Sequence, residues 1–152
     1  MKATKEIIDQ LIMELKVLQT ITTPEKIDME YLNRVRALEL KARDNNINLT
    51  SKIQPLKVRF YKTDLERSLK SAIEQASQGD PTSMEEHLGP ASYAARQLGK
   101  DINDRVREIR TIGYQHFIEN YFTTTNPEQR GLNQRSIQRC IRALGVDLGD
   151  RL

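Results

Sequence analysis

Apolar residues fall on helical spacings along most of this chain. Ile7, Ile8, Leu11, Leu15 and Leu18 share one side of a 3.6-residue period, which predicts a first helix over about 4–20. Thr23 and Pro24 then read as the cap and first position of a second helix, where a proline's missing N–H would have had no partner anyway. The stripe of that helix is Ile27, Tyr31, Val35, Leu38 and Ala42, and it fades at Asn45 and Asn46. The segment 56–62 fits two patterns. Leu56, Val58 and Phe60 alternate with Lys57 and Arg59 as a strand would, yet Val58, Tyr61, Leu65, Leu69, Ala72 and Ala76 make an equally good helical stripe. A lone strand has nothing to pair with, so the prediction is a helix from near Pro55 to Gln78. Thr63 and Glu66 are placed to form a capping box that restarts it.

The first glycine is Gly79, and from there the texture changes. Gly79, Gly89 and Gly99 each stand where a helix would close through a left-handed residue. They predict two short helices, about 82–88 and 91–98, followed by a longer one over about 101–122. The longer helix carries Ile102, Val106, Ile109, Gly113 and Phe117 on one face. The run TTTNPEQRG breaks it, Asn133 caps a last helix over 134–144, and Gly145 ends that helix. The expected architecture is all-α: one helical bundle over 1–152 with six to seven helices. Three long helices come first, shorter broken ones follow Gly79, and a short one closes the chain. Gly79-Asp80-Pro81 is a candidate subdomain junction.

Composition narrows the setting. With 152 residues the chain is long enough to bury a core unaided, and 30% charged residues suit amphipathic helices with wet outer faces. One cysteine, Cys140, leaves no internal disulfide and suits a reducing compartment. The N-terminal MKATKEIIDQLIMELK alternates charge with aliphatics, unlike a signal peptide, and no run of about 18 apolar residues occurs. Cytoplasmic location without membrane insertion is the expectation, and the Asn48-Leu49-Thr50 sequon is then a coincidence. The net charge of +3 is unevenly spread: residues 34–70 carry ten Lys and Arg against four acids, and 71–104 carry two against six. If folding brings these stretches together, the basic one acts as glue rather than as a binding surface.

Candidate chemistry concentrates near the C-terminus. At 100° per residue, Arg135, Arg139 and Arg142 fall within about 60° of one another, opposite Ile137, Cys140, Ile141 and Leu144. The segment LNQRSIQRCIRALGV resembles the second half of a helix-turn-helix in AraC-type regulators, which implies a recognition helix for DNA. The motif also needs a supporting helix just before Gly131, and Thr123, Thr124, Thr125, Asn126 and Pro127 stop a helix there. Tyr114, Phe117, Tyr121 and Phe122 put four of eight aromatics into nine residues, as a core wall or as an aromatic anchor for a partner.

Catalytic signals are missing. His87 and His116 lie in no Glu-x-x-His or His-x-x-x-His pattern, and His116 is placed to pair with Glu119. Cys140 sits on an apolar helix face, and there is no phosphate loop, dinucleotide fingerprint or nucleophile elbow. Glu85 and Glu86 are neighbours in sequence and so diverge on a helix rather than form an acid/base couple. The sequence therefore predicts no enzyme, no cofactor and no metal. Its expected role is a protein-interaction module that binds another protein or a second copy of itself, in the manner of an accessory domain of a larger, bacterial effector-like protein. Arg135, Arg139, Arg142, Tyr114, Tyr121 and Phe122 are its candidate partner-binding residues. The alternative is nucleic-acid binding through 34–70 or through the arginine face of 134–144.

Overall fold

A computed structural model of the chain describes residues 4–123, with side chains up to Asn120. Among these residues all regular structure is helical. The elements are α1 (Lys5–Thr20), a 3-10 turn (Pro24–Lys26), α2 (Met29–Asp44), α3 (Thr50–Ser77), α4 (Pro81–Gln97) and α5 (Asn103–Thr123). Five α-helices are thus present in the described residues. The expected last helix, 134–144, lies outside them.

Short polar side chains set the helix starts. The Thr4 hydroxyl accepts from the Ile7 N–H, Asp28 from Tyr31, and Asp80 from Ser83, with Pro81 opening α4. Thr23 was expected to cap α2, but its side chain makes no capping bond, and Pro24 begins only a single 3-10 turn. Asp28 takes the cap instead because its carboxylate reaches the Tyr31 N–H at 3.0 Å. Three helices end in Schellman closures. Asn46 (φ 57°), Gly79 (φ 72°) and Gly99 (φ 65°) are left-handed, and each donates to the carbonyl three residues back: Arg43, Ala76 and Arg96.

Two expected breaks do not occur. The segment 56–62 is helical inside α3, which starts at Thr50 and carries Pro55 within it. Its Thr63 hydroxyl donates back to the Arg59 carbonyl rather than restarting a helix. The second failed break is Gly89-Pro90, where α4 runs through as one helix. Its buried stripe of Met84, Leu88, Ala91, Ala94 and Ala95 is continuous across the pair, and Gly89 has no Cβ to strike the proline ring.

The chain forms two compact units, Met1–Asp64 and Leu65–Leu152, divided within α3. In the first, the predicted stripes of α1 and α2 supply buried Leu11, Leu15, Leu18, Ile27, Tyr31, Val35, Leu38 and Ala42, joined by Ile53, Leu56 and Phe60. In the second, small residues let helices approach closely. A Cβ on Gly113 would stand 2.5 Å from the Met84 sulfur and 3.4 Å from the Ala76 Cα. Ala72, Ala76, Ala91, Ala94 and Ala95 are all buried there.

Candidate interaction surface

The six candidate partner-binding residues divide between the described and undescribed parts of the chain. Arg135, Arg139 and Arg142 lie outside the described residues, as does Cys140. Tyr121 and Phe122 are in the last turn of α5, with side chains outside the description. Tyr114 is described: it is 5% exposed, and its hydroxyl donates to Glu85 Oε1 at 3.0 Å. Phe117, one turn further on, is half-buried.

Tyr114 belongs to a clasp between α4 and α5. Arg110 donates from Nε and from one terminal nitrogen to the two Glu85 oxygens, at 2.8 and 2.9 Å. This two-point geometry is the strongest form of Arg–carboxylate pairing. Burial pushes the Glu85 carboxyl up, but the Arg110 bonds and charge, with the Tyr114 hydroxyl, outweigh it and hold the carboxyl below its ordinary range. Arg110 is correspondingly raised, chiefly by its hydrogen bonds to Glu85. On the same helix His116 Nδ1 and Glu119 lie 3.7 Å apart, the pairing expected from their spacing.

Part of the basic stretch is built into the first unit. Arg34 contacts Glu14 at 2.9 Å, and Lys57 donates to both oxygens of Glu39 at 2.8 and 2.9 Å. Lys41 reaches the Gln10 side chain at 3.5 Å. Arg59 uses one terminal nitrogen for three carbonyls at the end of α1: Leu18 at 3.4 Å, Gln19 at 3.1 Å and Ile21 at 2.9 Å. The last turn of α1 has no basic residue of its own, so Arg59 supplies from α3 the cation that a helix C-terminus favours. That absence was the available sequence signal for Arg59. Arg36, Lys41, Arg43, Lys52, Lys62, Arg67 and Lys70 remain exposed.

The apolar surface is distributed differently. Ile8 (38%), Ile12 (40%), Met13 (68%) and Val17 (41%) stand in solvent on α1, interleaved with exposed Lys5, Asp9 and Lys16. Met29 and Leu40 are exposed on α2, and Ile112 on α5. The first unit has a cleft of about 390 Å³ where α2 turns into α3, bordered by Glu39, Arg43, Asn46, Asn48, Thr50 and Ile53. Among the described residues no group of three or more His, Cys, Asp or Glu is placed to hold a metal ion. No described helix is long and apolar enough to cross a membrane.

No family model, curated protein or solved structure matches the chain.

Proposed function

We propose that the chain is a non-catalytic helical module that binds another protein or a second copy of itself, with the outer side of α1 as the contact surface. One observation supports this above others: α1 is apolar on both sides. Leu11, Leu15 and Leu18 are buried, while Ile12, Met13 and Val17 face water; Ile8, expected on the buried stripe, is 38% exposed at the helix's N-terminal end. Burying such side chains yields about 25 cal/mol per Å² of apolar area, which gives a partner something to gain. The interleaved Lys5, Asp9 and Lys16 would form the polar rim of such a contact.

The test has two arms. In sedimentation velocity over a concentration series, an Ile12→Glu/Met13→Glu variant with unchanged helical circular dichroism is expected to lose any self-association. In the second arm, a photo-crosslinker placed at position 13 is expected to capture a defined protein that the Ile12→Glu change no longer captures. A chain that stays monomeric and gives no specific crosslink would overturn the reading.

Nucleic-acid binding is the second proposal, and the exposed Arg36, Arg43, Lys52 and Lys62 support it. Against it, Arg34, Lys57 and Arg59 already have protein partners.

A further inference from the structure

We draw no further inference here: the strongest candidate, the cleft where α2 turns into α3, offers a ligand only the start of a helix and the solvent-exposed Arg43, its Glu39 and Asn48 being already engaged by Lys57 and Thr50, and no second feature there points to what would bind.

Discussion

Tyr31 buries a hydroxyl that gains little from its surroundings. The side chain is 2% exposed, and the hydroxyl has no hydrogen-bond partner among the described residues. Burial pushes its phenol up, and the charge and side-chain donors of nearby Arg59 only partly oppose that. Arg59 directs one terminal nitrogen at the α1 carbonyls, and its remaining donors approach the Tyr31 hydroxyl without reaching hydrogen-bond geometry. A buried polar atom without a partner costs about 1–3 kcal/mol, whereas the ring itself contributes apolar packing. Tyr31→Phe is therefore expected to leave the urea midpoint unchanged or to raise stability by up to about 1 kcal/mol. Tyr31→Ala, which deletes the ring, is expected to cost about 3–5 kcal/mol. A strongly destabilised Tyr31→Phe would show instead that the hydroxyl is held by a hydrogen bond from Arg59. Tyr31 lay on the predicted stripe of the second helix, so its burial was legible in the sequence. The poor pairing of its hydroxyl was not, because that depends on how Arg59, 28 positions later, is placed.

Helix identity and helix interruption follow different rules in this chain. Stripes at spacings of three and four fixed the helical faces of α1, α2 and α5, because only that period puts their apolar residues on one side. Left-handed closure at Gly79 and Gly99 was legible for the same local reason. Gly89-Pro90 misled, since a proline breaks a helix only when its cost exceeds what continuity buries. Here Leu88 and Ala91, on either side of the pair, are 2% and 0% exposed, and they keep α4 whole. Proline in a helix interior is unfavourable by about 3 kcal/mol relative to alanine. Pro90→Ala restores a donor for the Glu86 carbonyl, so it is expected to stabilise the protein by about 1–3 kcal/mol in urea unfolding. Two separate helices would instead place Pro90 at the start of the second, where its replacement brings no gain. The α4–α5 clasp adds a pH dependence. The Glu85 carboxyl is held below its ordinary range, so its stabilisation is present above the unfolded-state value of about 4.3 and is lost as pH falls through the lower folded value. Wild type is expected to lose more stability between pH 7 and pH 3 than Glu85→Gln does. The difference will be modest because the pair is half-exposed. Parallel acid limbs for the two proteins would show that the clasp does not contribute.

At the scale of the whole molecule, net charge is a poor guide to partners. The chain carries +3, and residues 34–70 look like a phosphate-binding tract when counted in a line. Folding commits three of its ten cations, Arg34, Lys57 and Arg59, to protein groups and leaves the other seven exposed. Arg34 meets a glutamate 20 positions earlier, and Arg59 meets carbonyls 38 to 41 positions earlier. No sequence period reports such separations, which is why the glue was expected from 71–104 but Arg34, Lys57 and Arg59 find theirs within 1–64. The other expected contact, the arginine face of 134–144, lies outside the described residues. Each phosphate contact contributes a salt dependence of roughly 0.9 log unit in affinity per log unit of salt for duplex DNA. In the first unit's share of the tract, Arg34, Lys57 and Arg59 are committed to protein groups. Of the five exposed cations there, Arg36, Lys41, Arg43, Lys52 and Lys62, two already lie against Gln10 and Glu39, which reduces the contacts left for phosphate. Labelled duplex and labelled single strand are accordingly expected to show no saturable change in anisotropy with the full chain, even at low salt. The opposite result would be saturable binding that weakens steeply with salt and falls further in Lys52→Glu/Lys62→Glu. That outcome would assign the basic tract to nucleic acid and leave the apolar side of α1 as ordinary scattered exposure. Binding that instead survives this variant and disappears in Arg135→Glu/Arg139→Glu/Arg142→Glu would move the contact to 134–144.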